Sequence, residues 1–458
     1  MSDRYRALSL WHDSLADDLA PRPQLTTDRD VDVAIVGAGY TGLWTAYYLK
    51  KLRPEISVAI VEAEIAGFGA SGRNGGWCIG ALAGIDTLIA DPATRDGAIA
   101  LMRAMFETVD EVGSVAESEE ISCDFAKGGT IQVATSPPHV GTLKRQNESL
   151  RSLGFGEEDF AWLEPDECNA RIRTAPNLGG MYTPHCAAIH PAKLVRGLAE
   201  VVERLGATIY EHSPARSVGG RVVSTDSGDL NAEIVVRATE GYTPRLEGHT
   251  RKLIPIHTMM IATEPLPQSL WDAIGLSERE TFGDSRRVVI YGQRTADGRL
   301  AFGGRGEYYF GSAIKDTFAA SDALFTNVHR TLTELFPGLR GVEITHRWGG
   351  PIGVPRNWRP SVGLNRRTGF AWAGGYVGEG VAASNLAGRT LAYLILERET
   401  ELIKLPWVGR PFPRWEPEPL RWAGVRAVRA LAESVDSAEL NSGQTPKLRS
   451  QILNSFIG

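Results

Sequence analysis

Cysteine is scarce in this chain. Four occur in 458 residues (Cys78, Cys123, Cys168 and Cys186), widely spaced and without a C-x-x-C pair. That excludes a disulfide framework and a cysteine zinc cluster, and it fits a reducing compartment, read here as cytoplasmic. Basic charge is also short: 49 Lys and Arg stand against 55 Asp and Glu, a formal charge of −6. Without basic blocks the chain has little to offer a phosphate backbone, so nucleic acid is set aside as a partner. No run of about 20 apolar residues exists, since the best candidate, 33–49, is broken by glycines. The start, MSDRYRALSLWHDSLADDL, lacks the basic start and apolar core of a signal peptide. A membrane is set aside as well.

Glycine is what the chain has in excess: 50 residues, about 11%, against roughly 7% in average usage. Turns alone do not require so many, which directs attention to loops where backbone approaches a ligand. The first is VDVAIVGAGYTGLWTAYYL, at 31–49. An unbroken apolar run predicts a buried parallel strand, and an apolar helical stretch follows. Between them lies Gly37-Ala38-Gly39-Tyr40-Thr41-Gly42. Gly37 permits the tight turn, Gly39 lets a pyrophosphate approach, and Gly42 lets helix and strand pack closely. The helix start adds free N–H groups and a positive dipole end. A second strand ends at Glu62, 20 residues after Gly42, the spacing of an acid that bonds ribose hydroxyls. It would repel a 2′-phosphate. The pattern predicts dinucleotide binding, with Ala63 beside the acid; a purely structural βαβ turn is the alternative.

The next segment, GFGASGRNGG at 67–76, distinguishes the dinucleotides. An NAD-dependent dehydrogenase would normally continue into another helix–strand unit here. Instead, Gly69, Ala70, Ser71, Arg73, Asn74, Gly75 and Gly76 form a second run of mostly small residues that can line a large planar ligand. A hydrolase nucleophile elbow needs glycine where Arg73 stands. Together, the two segments resemble the flavin-dependent amine and amino-acid oxidases of the D-amino-acid oxidase superfamily, in the branch of gamma-glutamylputrescine oxidoreductases and glycine/sarcosine oxidases. Three further stretches carry the resemblance. EHSPARSV resembles the stretch whose backbone at Ala215 pairs with adenine, and VVRATEG, with Thr239 and Gly241, resembles the turn beneath the cofactor. GFAWAGGYVGEGV, containing Gly375, Tyr376, Gly378, Gly380 and Val381, is a strand, a loop and a helix start facing the flavin's pyrimidine edge.

The resemblance implies an α/β fold (α+β overall): a Rossmann-like FAD-binding domain of the glutathione-reductase type plus a mixed-sheet substrate domain. The FAD-binding domain is expected from 1–85, 186–250 and 345–400, the substrate domain from 86–185 and 251–344, and an extension at 401–458. Strands are predicted at 253–263, 287–291 and 299–303. It also implies oxidation of the C–N bond of a small amine or amino acid by hydride transfer to flavin N5. The imine would hydrolyse, and O2 or another acceptor would take the electrons. Non-covalent FAD is expected, because Gly350 stands where some relatives carry a flavin-linking cysteine. Ala301 and Arg305 take the places of the lysine and histidine that one strand supplies in sarcosine oxidases, and Ala382 the place of a substrate-binding lysine. Arg305 would suit an anionic amine, amino acid or aminophosphonate; a domain-interface arginine is the alternative. Trp348 and Tyr376 are candidate active-site walls or ordinary core. His257 is a candidate catalyst or a satisfied strand histidine, and Asn74 a flavin contact or a turn residue. A 2-hydroxy-acid dehydrogenase, a tRNA-modifying flavin domain and a non-catalytic scaffold share the fold. No metal site is expected, and the oligomeric state is left open.

Overall fold

The computed structural model describes residues 2–457, without the side chains of Ser2, Arg305, Ser455 and Ile457. Two eight-stranded sheets organise the chain. In the first, Arg29–Val36 lies at the centre, parallel to Asp229–Arg237 on one side and to Val58–Val61 on the other. Thr208–Tyr210 extends the sheet beyond Val58–Val61, and Phe370–Gly374 extends it beyond Asp229–Arg237, both in parallel. Ser361–Asn365 closes that edge antiparallel. Val33, Ala34, Ile35 and Val36 are all buried, which is why this strand is continuously apolar: it is covered on both faces. Helices Tyr40–Leu52, Pro191–Arg204 and Gly380–Ile395 cover one face and share one apolar core. Pro191 opens its helix, whose end is followed by Gly206 at φ +90°, as a first-turn proline and a terminal glycine predict.

The second sheet is mixed. Ile344–Val354, Ile254–Thr263, Leu300–Tyr308, Ile290–Arg294 and Thr281–Asp284 run antiparallel in that order, and Thr281–Asp284 pairs in parallel with Thr130–Val133. Both faces are buried. Met259 and Ile261 point into a core with helix Ala323–Leu335, whereas Met260 and Ala262 point into another with Trp11, Leu15 and Leu19. The two-residue period of a strand separates these sets.

Two strands differ from the sequence expectation. The strand expected at 287–291 begins at Ile290, because the Arg287 and Val288 N–H groups donate instead to the Asp436 carboxylate, each at 2.8 Å. The strand expected at 299–303 runs on to Tyr308. Residues 67–76 are not all loop: Ala70–Arg73 makes one helical turn.

Candidate active site

The main cleft opens at the carboxyl ends of the parallel strands of the first sheet, where an open α/β sheet offers its crevice. It encloses about 490 Å3. Gly37 sits at φ +107°, where a Cβ would come within 2.7 Å of Ala238 O. A Cβ on Gly42 would be 2.0 Å from Gly37 O, which fixes the close crossing of helix and strand. Gly39 caps helix Tyr40–Leu52 with no side-chain acceptor, and the first turn has no acidic residue. The Tyr40 N–H donates to Ser71 Oγ (2.9 Å), but the turn that follows has N–H groups without intrahelical acceptors. A second uncapped helix start, Gly380–Ile395, contributes Gly380, Val381 and Ser384 to the same cleft.

Glu62 stands at the far wall with Ala63 and Ala215. Its carboxylate accepts the Ala38 N–H (2.9 Å) and the Glu64 N–H (3.1 Å). Burial nevertheless pushes it up to about 7. Of the remaining sequence candidates, Gly37, Gly39, Tyr40, Thr41, Gly69, Ala70, Ser71, Asn74, Thr239, Gly241, Tyr376 and Gly378 also line the cleft. The Tyr376 hydroxyl pairs with Thr41 Oγ1 at 3.0 Å.

Other candidates support that wall without lining it. Ala38 is fully buried within the turn and Gly42 packs on the Gly37 carbonyl, while Gly75 and Gly76 pack on Tyr291 and Gln293. Gly375 donates its N–H to Glu240 (2.9 Å). Arg73 is buried, and its guanidinium is spent on protein: Nη1 donates to Asp316 O (3.0 Å) and Gly349 O (3.1 Å), Nη2 to the Tyr242 hydroxyl (2.6 Å). Asn74, which lines the cleft, also ties its own turn. Its Nδ2 donates to Ala70 O and Ser71 O, and its Oδ1 accepts the Gly76 N–H.

His257 and Trp348 are not brought to the cleft. His257 sits at a bulge in its strand, with Nδ1 facing Glu307 O at 3.3 Å and Nε2 accepting the Lys315 N–H at 3.0 Å. Burial lowers it to about 4, so it is neutral at pH 7. Trp348 donates to Arg73 O (2.9 Å) and packs edge-on against Trp11. The strand position of Arg305 is opposite Thr258, but its side chain lies outside the described residues. Ala382 is fully buried in the core.

Glu240 was not among the candidates. It adopts φ +40° and reaches into the cleft wall, where Oε2 accepts the Gly375 N–H and Oε1 the Tyr376 N–H (3.2 Å). A Cβ on Gly353 would lie 2.6 Å from its Oε2. Burial pushes this carboxyl up to about 7, against the pull of the three amides and of Arg237. Tyr242, Arg245, Pro351 and Ile352 also line the cleft and were not singled out. The charged residue inside Thr239-Glu240-Gly241 was the available signal. Among the described residues no cluster of His, Cys, Asp and Glu could hold a metal, and no helix is long and apolar enough to cross a membrane.

Two uncapped helix starts, a turn only glycine can make and a buried acid after the second strand fit a dinucleotide with a planar head group. Comparisons agree. A family model described as DAO, FAD dependent oxidoreductase, matches residues 32–394. The probable oxidoreductase OrdL of Rhizobium meliloti (strain 1021) is 32% identical over 88% of this chain and 92% of its own. The gamma-glutamylputrescine oxidoreductase of Escherichia coli (strain K12) is 29% identical over 88% of this chain and 93% of its own. The crystal structure of glycine oxidase from Geobacillus kaustophilus superposes with a TM-score of 0.69 at 23% identity, covering 85% of this chain and all of that one.

Proposed function

The chain belongs to the DAO family of FAD-dependent oxidoreductases, and on that premise we propose that it oxidises the C–N bond of a small amine or amino acid. The observation that carries this reading is the glycine-cradled cleft at the strand ends, with both helix starts turned into it. Relatives named for amine and amino-acid donors, gamma-glutamylputrescine oxidoreductase and glycine oxidase, support the substrate class.

The start of helix Tyr40–Leu52 and the Ser71 turn would hold the pyrophosphate, Glu62 the adenosine ribose, and Ala63 and Ala215 the adenine. Residues 376–381 would face the pyrimidine edge. FAD bound there supplies the hydride acceptor for a carbon next to nitrogen. The protein's task is to hold that carbon in place and to keep the amine neutral, which burial favours. Glu240 fixes the 375–376 backbone from behind, and the Tyr376–Thr41 hydroxyl pair joins the third glycine segment to the first. The imine leaves to hydrolyse to an aldehyde or keto acid, and O2 or another acceptor takes the electrons. A side chain at Gly350 would meet the Arg73 guanidinium at 3.3 Å, which favours non-covalent FAD. The four buried free thiols favour a cytoplasmic setting.

The test is anaerobic bleaching of the visible flavin band. Purified protein is expected to be yellow and to bleach with an N-methyl amino acid, a D-amino acid, a putrescine derivative or an aminophosphonate. A yellow protein that bleaches only with 2-hydroxy acids, or with none of the panel, overturns the amine reading.

A further inference from the structure

Where the second glycine segment ends, three consecutive carbonyls are each taken by a side chain from a different part of the chain. Trp348 Nε1 donates to Arg73 O (2.9 Å), Trp11 Nε1 to Asn74 O (2.8 Å) and Gln293 Nε2 to Gly75 O (2.8 Å). All three donors are buried, and none lines the cleft that Asn74 lines. Trp11 comes from the short helix Leu10–Asp13, outside the span that the family model matches. Its neighbour His12 is fully buried against the same segment, since a Cβ on Gly72 would lie 2.7 Å from the imidazole.

A trans peptide points its N–H opposite to its C=O, so fixing these carbonyls also aims the N–H groups of residues 74, 75 and 76. Two of them are spent within the turn. The Asn74 N–H donates to Ala70 O (2.9 Å) and the Gly76 N–H to Asn74 Oδ1 (2.8 Å). The Gly75 N–H, on the peptide that Trp11 holds, has no acceptor among the described residues. Gly75 is only half-buried, and it directly follows the cleft-lining Asn74. Backbone donors in folded proteins are almost always paired, and this one is held from its carbonyl side and left open on the other.

We infer that Trp11 is a positioning residue for FAD: by holding Asn74 O it turns the Gly75 N–H toward a carbonyl of the flavin ring. The inference rests on FAD binding in the cleft and is independent of which donor the enzyme oxidises. Those carbonyls gain negative charge as the ring is reduced, so an N–H fixed in advance toward one of them favours the reduced cofactor. The N-terminal segment would thereby set how readily FAD accepts electrons, without touching it.

Trp11→Phe keeps a ring against Trp348 and His190 and removes only the donor. The holoenzyme is titrated against an indicator dye with no amine present. In the variant the equilibrium constant for two-electron reduction should fall roughly tenfold, a drop of about 30 mV in midpoint potential. Trp348→Phe is the control. It removes an equally buried indole donor from the preceding peptide, whose N–H is already bound to Ala70 O, so the constant should stay within about twofold of the parent. Replacing Trp11 by 3-benzothienylalanine, which has sulfur in place of the indole N–H, keeps the shape and should reproduce the drop. It covers the case that Trp11→Phe fails to fold. An unchanged potential with benzothienylalanine, or equal drops from Trp11→Phe and Trp348→Phe, would overturn the assignment, because equal drops are what general loosening of the loop produces. The titration needs no substrate, so its failure is separable from a failure to bleach with amines.

Discussion

Glu240 holds the wall of the cleft through three backbone N–H groups from two distant glycine segments. In the folded chain burial raises this carboxyl to about 7 from an ordinary 4.5. The folded state therefore keeps the proton that the unfolded chain releases first. The stability Glu240 contributes is greatest below about pH 4.5 and declines as pH rises through 7. Glu240→Gln has no such loss, but offers one oxygen where three donors converge. Melted without cofactor, the variant should be less stable than the parent at pH 5, and the gap should narrow by pH 8. A gap that widens with pH would show the carboxylate to be held as an anion. The glycines make a sharper contrast. A Cβ on Gly39 would strike Ser71 Oγ at 2.8 Å, a side chain that can rotate away, whereas on Gly42 it would strike the Gly37 carbonyl at 2.0 Å. Gly39→Ala should fold and lose FAD affinity roughly tenfold, equivalent to about 1.4 kcal/mol. Gly42→Ala should lose folding itself. Flavin fluorescence quenching and far-ultraviolet circular dichroism separate the two outcomes.

At the scale of elements, the turn Ala70–Arg73 illustrates what burial adds to a motif. Arg73 ties it to Gly349, Asp316 and Tyr242 across the two sheets. Arg73→Ala leaves these acceptors unpaired and should cost about 2–4 kcal/mol in urea unfolding. Arg73→Lys recovers only part of this, because an ammonium cannot reproduce the fork. Loss below about 1 kcal/mol for the alanine variant would mean that water replaces the guanidinium. The turn also shows how far the sequence was legible. The strand–glycine–helix unit at 29–52 could be read because its period, its glycines and the distance to Glu62 are all local, and so could the helix that Pro191 opens. Arg73 was read as a cofactor contact; its guanidinium partners Tyr242, Asp316 and Gly349 lie more than 150 residues away in the chain, where no local pattern reaches. The same holds for the strand start at Ile290, which is set by Asp436, and for Glu240, whose partners are amides of residues 353, 375 and 376. His257 was read as a catalyst or a satisfied strand histidine; its two ring nitrogens face backbone from residues 307 and 315, partners that no local pattern names.

At the scale of the molecule, the C-terminal extension joins the two sheets. Trp415 is buried, packs with Ile254, Tyr308 and Val354 of the second sheet, and donates to Val354 O at 2.9 Å. Phe412 serves the other side: a Cβ on Gly375 would lie 2.9 Å from its ring, so the ring rests on the loop whose N–H groups feed Glu240. The two aromatics are three residues apart and comparably buried, yet they press on different parts of the fold. Truncating either to alanine should cost about 3 kcal/mol of stability, the usual range for a large aromatic side chain. Their effects on the cleft should differ. Phe412→Ala frees the 374–378 loop and should lower FAD affinity roughly tenfold, or about 1.4 kcal/mol, whereas Trp415→Ala should leave it within about twofold. Flavin titration of both variants at equal fractions folded decides the matter. Equal losses of affinity would reduce the extension to a general brace, whereas the expected inequality would show that it props the cofactor loop through one ring.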